Sequence, residues 1–193
     1  AFTLGSVALG LLIGGSLGTL GGFWLGLSPR AARASFLGVE MLRSLPALAL
    51  LPLFLLVYGY GLSLQVCLVA IGTFWPQLLM AQAAVRQVEP QLLELARLLA
   101  LGPLQRLGKV VVPAALPRLL TSLRLSLAFA LQIAVTVEIA GNPHGMGYAM
   151  LLAEQSLTPA LKIGWLFWIG LIGVLLNAAL LRLQGRVERR KGG

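Results

Sequence analysis

The chain has 193 residues, of which 58% are hydrophobic and 11% are charged, and its mean hydropathy is +0.90. A water-soluble domain of this length needs more polar surface than that composition supplies. The net charge of +9 raises the possibility of nucleic-acid binding. The basic residues, however, cluster between apolar segments instead of alternating with aromatics along one stripe, and this pattern argues against nucleic acid. The sequence predicts an all-α, multi-pass membrane protein.

Five apolar segments are each long enough to cross about 30 Å of hydrocarbon. They cover residues 2–27, 36–58, 62–85, 119–140 and 159–183. The first segment follows Ala1 without a basic region before it, so we expect a true spanning helix and not a signal peptide. We interpret residues 1–193 as a single transmembrane domain, and the abrupt start leads us to expect a further N-terminal part in the full protein.

The first segment carries glycines at helical spacing, among them Gly14, Gly18 and Gly22. Small residues four apart let two helix backbones approach closely in lipid. Packing within the chain and an interface with another subunit both remain open interpretations of this ridge.

The second segment is interrupted by Pro46 and Pro52, and each proline removes a backbone donor from a helix. We expect a loop at residues 28–35, then a kinked or broken helix, and a tight turn at Gly59–Gly61. Glu40 and Arg43 are three residues apart, so they share a helix face and can form an ion pair.

Residues 86–118 form a polar, basic region between the third and fourth segments. Charges are costly in hydrocarbon, so this region is expected to lie outside the bilayer. Pro90 suits the first turn of a helix that ends near Leu101. Gly102–Pro103 is a turn signal, and a short amphipathic helix is predicted at 104–112.

Charge asymmetry predicts the orientation of the chain. If the five segments alternate, residues 28–35, 86–118 and the basic tail at 182–191 lie on one side, and the other side receives Lys162 as its cation. The excess of Lys and Arg places the basic side in the cytoplasm. The N-terminus is then outside and the C-terminus inside.

Residues 94–117 resemble the cytoplasmic loop of binding-protein-dependent ABC transporter permeases. The signature of that family is Glu-Ala-Ala, a Gly after three further residues, and a Leu-Pro near the next span. This sequence has Glu94-Leu95-Ala96, then Ala100 in place of the Gly, and Leu116-Pro117. Because the usual Gly is absent, we expect the turn to form at Gly102–Pro103. Residues 42–53, 58–61 and 138–148 are similar to the nitrate, sulfonate and taurine permease group.

The resemblance implies a five-helix type I importer core in the bacterial inner membrane. It also implies a second permease copy, forming a homodimer, two cytoplasmic ATPase subunits that bind ATP and Mg²⁺, and an extracytoplasmic solute-binding protein. The helix near residues 91–101 would be the coupling helix that docks on an ATPase, with Glu94 and Arg97 as polar contacts and helix caps and Leu98 and Leu101 as apolar anchors. A solvated amphipathic loop is the alternative interpretation. The residues implied in coupling are Glu94, Ala96, Arg97, Leu98, Ala100, Leu101, Gly102 and Pro103.

Ionisable and polar residues inside the apolar segments are candidates for the solute pathway. Arg43 would attract an anion, or it pairs with Glu40. Glu138, near the outer end of the fourth segment, would serve a gate or contact the binding protein. Weaker candidates are Thr73, Gln132 and Thr136, because such residues also bond neighbouring helices.

The sequence offers no pattern typical of catalysis or metal binding. His144 is the single histidine and Cys67 the single cysteine, so neither a His/Cys metal cluster nor an intrachain disulfide is expected. A Gly-rich phosphate loop followed by Lys is also absent, so nucleotide is expected on a partner subunit. The competing interpretations are a membrane-embedded enzyme and a passive channel or scaffold.

Overall fold

The computed structural model describes residues 1–189, and every regular element in that range is helical. The α-helices are α1 (Phe2–Leu27), α2 (Pro29–Arg43), α3 (Leu51–Tyr58), α4 (Leu62–Arg86), α5 (Pro90–Leu98), α6 (Pro103–Arg106), α7 (Val112–Ala140), α8 (Gly145–Gln155) and α9 (Pro159–Arg189). A 3-10 turn, Ala47–Leu50, precedes α3, and a π-helical turn, Leu107–Val111, joins α6 to α7. The predicted all-α fold is confirmed. The end of the predicted basic tail lies outside the described residues.

The glycine ridge of α1 packs against α4 within the same chain. A Cβ atom added at Gly14 would lie 2.1 Å from the carbonyl oxygen of Ala70, and one added at Gly22 would lie 2.3 Å from that of Leu78. Backbone cannot move aside as a flexible side chain can, so these positions require glycine. The ridge therefore serves internal packing, which resolves the open alternative for these glycines.

Helices α1 and α4 run in the same direction, because Gly10 lies beside Val69 and Gly26 lies beside Val85. The chain between them must therefore return along the length of the bundle. Helices α2 and α3 make this return with a bend of 71°. Four helical stretches are long and apolar enough to cross a membrane (residues 2–27, 62–86, 103–140 and 159–185), and the bent pair is a candidate for a fifth crossing.

The loop predicted at residues 28–35 is wrong, because α2 already begins at Pro29. The Ser28 hydroxyl oxygen accepts a hydrogen bond from the Ala31 amide at 3.3 Å, and proline occupies the first helical position. Both features favour the start of a helix. The break in this segment lies at Ser44–Pro46, since Pro46 disfavours helical backbone at the residue before it.

The fourth long helix also begins earlier than predicted. Residues 104–112 do not form a separate amphipathic helix, because α6, the π turn and α7 are continuous from Pro103 to Ala140. The Val112 amide donates to the Leu107 carbonyl, five residues back, directly before Pro113. Proline has no N–H for the carbonyl four residues back and its ring collides with it, so a wider turn accommodates Pro113 without ending the helix.

Helix α7 runs antiparallel to α4, and polar side chains bond the helices in the core. The Gln77 amide donates to Thr19 Oγ1 on α1 at 3.1 Å, and its oxygen accepts from Ser122 and Ser126 on α7 at 3.0 and 3.1 Å. Helix α9 packs outside, on α7 and α8.

The two ends of this bundle differ in charge. We call the end at which α1 and α4 finish the basic end, and the end that carries the Gly59–Gly61 turn and α8 the opposite end. Basic residues at or near the basic end are Arg30, Arg33, Arg86, Arg97, Arg106, Lys109 and Arg118.

Candidate functional site

Helix α5 at the basic end is attached to the bundle through one side. Val85, Val88 and Val111 form a buried cluster where α4 ends and the π turn lies, and Leu93 of α5 packs against it. Ala96, on the same helix, is only 1% exposed. Burial of these side chains holds the short helix in a defined position although it has only nine residues.

The other side of α5 presents leucines to the outside. Leu98 is 84% exposed, and Leu104, just beyond the following turn, is 83% exposed. Leu95 and Leu99 are also exposed. Large apolar side chains grouped in this way are typical of a surface that another protein or a membrane covers. Of the two predicted anchors, Leu98 lies on this surface, whereas Leu101 is half-buried.

The sequence analysis missed Leu95, Leu99 and Leu104, and the helix-cap role that it predicted for Glu94 is wrong. The polar contacts predicted for Glu94 and Arg97 stay a prediction. Glu94 and Arg97 are exposed. Glu94 caps neither end of α5, because the helix begins at Pro90 and Glu89 occupies the N-cap position. Arg97 stands in the last turn, where a cation interacts favourably with the helix dipole. The spacing of leucines along α5 was the available signal for the exposed face.

The turn after α5 forms at Ala100, so its prediction at Gly102–Pro103 is wrong. Ala100 has φ +51, a left-handed conformation that costs an L-residue other than glycine about 1–2 kcal/mol. The Leu101 amide donates to the Ala96 carbonyl at 3.0 Å, and the Ala100 amide donates to Arg97 at 2.9 Å. This pair of bonds is the Schellman helix ending. Gly102 is extended, with φ −62 and ψ 162, and Pro103 begins α6.

Arg43 forms an ion pair with Glu40, which was one of the two roles predicted for Arg43 from the sequence. Arg43 Nε donates to Glu40 Oε2 at 2.8 Å, and Arg43 Nη2 donates to Oε1 at 2.9 Å. Both side chains remain about two-fifths exposed, at 42% and 41%. The pair closes the last turn of α2, directly before the break in the bent segment. Attraction of an anion by Arg43 stays a prediction.

Glu138 is fully buried at the opposite end, in a network that joins α4, α7 and α8. Its Oε1 accepts from Gln65 Nε2 at 2.7 Å, and its Oε2 accepts from the Gly147 amide at 2.8 Å. Asn142 Nδ2 donates to Gln65 Oε1 at 2.9 Å and to the Gly61 carbonyl at 3.1 Å, while Asn142 Oδ1 accepts from the Gly61 amide. The network fastens the Gly59–Gly61 turn to α7 and α8. Sequence analysis missed Gln65 and Asn142.

Of the three weaker pathway candidates, Gln132 and Thr136 lie together and Thr73 lies apart from them. Thr73 is buried in the α1–α4 interface, where its hydroxyl donates to the Val69 carbonyl at 2.9 Å. Gln132 and Thr136 line a groove of about 400 Å³ between α7 and α9, and Thr136 donates to the Gln132 carbonyl at 2.8 Å. Arg124, which the sequence analysis did not single out, lines the same groove.

No group of three or more His, Cys, Asp or Glu side chains capable of holding a metal occurs among the residues that the structure describes. The His144 ring stacks on Phe2, with 5.0 Å between centroids. This contact ties the loop before α8 to the start of α1.

Comparison with known proteins identifies the family. Residues 10–193 match the family of inner membrane components of binding-protein-dependent transport systems. The chain belongs to this family. It is therefore a multi-pass protein of the bacterial inner membrane, and its resemblance to the nitrate, sulfonate and taurine permease group is confirmed.

Named relatives and solved structures support the family and the fold. The chain is 38% identical, over 77% of its length, to the Bacillus subtilis protein that bears the name of an aliphatic sulfonates transport permease, SsuC. It is 29% identical, over 97% of its length, to the Escherichia coli taurine transport permease TauC. It spans 54% of SsuC and 68% of TauC. A chain of the MetNI methionine ABC transporter in an inward-facing conformation has the same fold, with a TM-score of 0.80 over 97% of this chain and 91% of that chain at 22% identity.

Proposed function

We propose that this chain is the membrane-spanning permease subunit of an ATP-driven importer, and that it forms the solute pathway and couples it to cytoplasmic ATPase subunits. The complete transporter would contain a second copy of the permease, two ATPase subunits that bind ATP and Mg²⁺, and an extracytoplasmic solute-binding protein. The excess of basic residues at the basic end supports a cytoplasmic location for that end.

The observation that carries this proposal is the exposed leucine face of α5. A solvated loop would turn polar side chains outward, whereas here Leu98 on α5 and Leu104 on α6 are more than four-fifths exposed and the inner side of α5 is buried. An apolar helix face that seats in the groove of another protein is a recurring mode of recognition. This face supports the interpretation of α5 as the coupling helix and argues against the solvated-loop alternative.

The attachment of α5 to the bundle explains how movement of an ATPase would be transmitted to the helices of the solute pathway. The cluster Val85, Val88 and Val111 joins α5 to the end of α4 and to the π turn that leads into α7. Displacement of α5 would therefore act on two long helices together. Switching between two discrete packings of such helices is the basis of alternating access. On this proposal the chain hydrolyses nothing itself.

A small oxyanion or sulfonate is the solute class that we propose. Relatives of this chain are named for aliphatic sulfonates, taurine and nitrate. The chain adds two cations, Arg43 at the end of α2 and Arg124 within α7. Glu138 is 0% exposed, so it cannot touch a binding protein directly and would instead hold the opposite end in shape for one.

Reconstitution tests this proposal against a passive channel, a scaffold and a membrane enzyme. The permease, its co-purifying ATPase and its binding protein would be placed in vesicles, and uptake of nitrate, taurine and ethanesulfonate would be measured. We expect uptake of one of these anions that requires internal ATP and is lost in Leu98→Glu. Uptake without ATP would indicate a channel. Absence of both uptake and a co-purifying ATPase would overturn the proposal.

A further inference from the structure

Arg124 lies within the apolar stretch of α7 and is only half-buried. It is six residues beyond Arg118, which corresponds to about 9 Å along a helix. A charged side chain at such a depth is costly unless it faces water or a partner. Among the residues that the structure describes, no carboxylate forms an ion pair with Arg124. A negative charge from outside the chain would satisfy it.

The groove that Arg124 lines contains further polar side chains at helical spacing. Gln132 and Thr136 lie eight and twelve residues further along α7, on the same face, and Asn177 lines the groove from α9. Positions 124 to 136 correspond to about 18 Å along the helix axis. The groove, whose lining is otherwise mostly apolar, therefore carries polar side chains at several depths and not only at one end.

Two contacts define the register of the antiparallel helices α7 and α9. Gln184 Nε2 donates to Thr121 Oγ1 at 3.3 Å, and Gly173 lies beside Leu131. This register places Asn177 level with residues 127–128, between Arg124 and Gln132. Thr136 already donates its hydroxyl hydrogen to Gln132. The hydrogen-bond donors left for an anion are thus the Arg124 guanidinium and the amides of Gln132 and Asn177, at successive levels.

We infer that the α7–α9 groove is an anion-binding section of the solute pathway, in which Arg124 binds the oxygens of a small oxyanion or sulfonate and the Asn177 and Gln132 amides provide the next contacts. The inference rests on the proposed function. A guanidinium suits this task because its planar set of donors binds two oxygens at once. A lipid phosphate has the same chemistry, but a headgroup would meet Arg124 at one level and would not require polar side chains deeper in the groove.

A charge-selective labelling experiment tests the site without knowledge of the solute. In a Cys67→Ala background, Ala128→Cys places a thiol in the groove between Arg124 and Gln132. Rates of modification by the anionic sulfonatoethyl methanethiosulfonate and by the cationic trimethylammonioethyl reagent would be compared in vesicles. We expect the anionic-to-cationic rate ratio to fall about tenfold when Arg124→Gln is added and to be restored by Arg124→Lys, because a local cation concentrates anions.

The control thiol is Leu125→Cys, on the same helix but outside the groove lining. Because it faces away from the groove, its rate ratio should depend on Arg124 less than the ratio at Ala128→Cys does. A ratio at Ala128→Cys that is the same with Arg124 and with Gln would overturn the inference. Occupation of the site by a lipid would also overturn the inference. In that case, adding phosphatidylglycerol to phosphatidylcholine vesicles would lower the rate of anionic labelling in the protein with Arg124 but not in Arg124→Gln.

Transport by the complete complex separates this inference from the proposed function. Arg124→Gln should reduce ATP-driven uptake of nitrate, taurine or ethanesulfonate roughly 10- to 100-fold, since a charge-assisted hydrogen bond is lost, and should leave ATPase binding intact. Unchanged uptake would overturn the inference and leave the proposed function standing. If the parent complex carries none of these anions but the labelling preference persists, the proposed solute class fails and the anion site stands.

Discussion

The two ends of the bundle differ in how far their functional side chains are buried. At the opposite end, Glu138 is 0% exposed, and both of its carboxylate oxygens accept hydrogen bonds from within the chain. At the basic end, Leu98 is 84% exposed on a helix whose other side is buried. Polar groups paired internally need no partner, whereas an uncovered apolar face does. On the proposed function, the chain itself holds the opposite end in shape, whereas an ATPase subunit covers the grouped leucines at the basic end.

Glu138→Ala is expected to have the largest effect on stability. The change leaves the buried Gly147 N–H without its acceptor and leaves Gln65 Nε2 only its longer bond to the Ala134 carbonyl at 3.4 Å, at a combined cost of about 2–4 kcal/mol. A loss of about 3 kcal/mol lowers Tm by about 6–12 °C in a chain of this length. Thermal unfolding of the purified permease would measure the change.

The matched control is Glu154→Gln, which breaks an exposed ion pair with Lys162 at the same end. Its effect should lie within about 1 kcal/mol, because exposed pairs contribute little. An equal effect of the two substitutions would mean that the Glu138 network does not hold this end of the bundle.

Gly14→Ala should have the second largest effect, through the core that connects the two ends. The added Cβ would lie 2.1 Å from the Ala70 carbonyl oxygen, so α1 and α4 must separate. Overpacking of this kind costs about 1–3 kcal/mol. Gly5→Ala on the same helix, where no atom lies within 4 Å of the added Cβ, should be tolerated. A comparable drop in Tm for both would contradict the assignment of the ridge to internal packing.

Ala100→Gly should have the smallest effect and the opposite sign. Glycine adopts the left-handed φ of this position without strain, so we expect stabilisation of the turn after α5 by about 1 kcal/mol. Leu157→Gly at the opposite end relieves the same strain, because Leu157 has φ +52. Both changes should raise Tm slightly. Destabilisation by Ala100→Gly would show that the Ala100 side chain itself supports the turn.

The long helices could be predicted from the sequence because apolar runs of this length have few alternatives. The starts of α2 and α7 could not be predicted in this way. At α2, Arg30 and Arg33 on an amphipathic helix give the same sequence signal as a charged loop. The turn at Ala100 was missed for an energetic reason. A left-handed alanine costs only about 1–2 kcal/mol. The Schellman hydrogen bonds and the packing of α5 stabilise the turn by more than this amount.

The buried network and the groove depend on tertiary contacts that local patterns do not contain. Gln65 and Glu138 are 73 positions apart, and Asn142 and Gly61 are 81 apart. Only the antiparallel placement of α4 and α7 brings them together. Arg124 was overlooked because an apolar run does not reveal which face of its helix a single cation occupies.

The assignment of α5 as the docking helix is tested by the affinity of the co-purifying ATPase for the permease with one exposed leucine changed at each end. Leu98 and Leu157 are 84% and 88% exposed, so glutamate at either position should leave the fold intact. We predict that Leu98→Glu weakens ATPase binding about 30-fold or more, the effect of removing a central apolar anchor of about 2 kcal/mol, and that Leu157→Glu leaves it unchanged. Unchanged binding in Leu98→Glu, or an equal loss in both variants, would contradict the assignment of α5 as the docking helix.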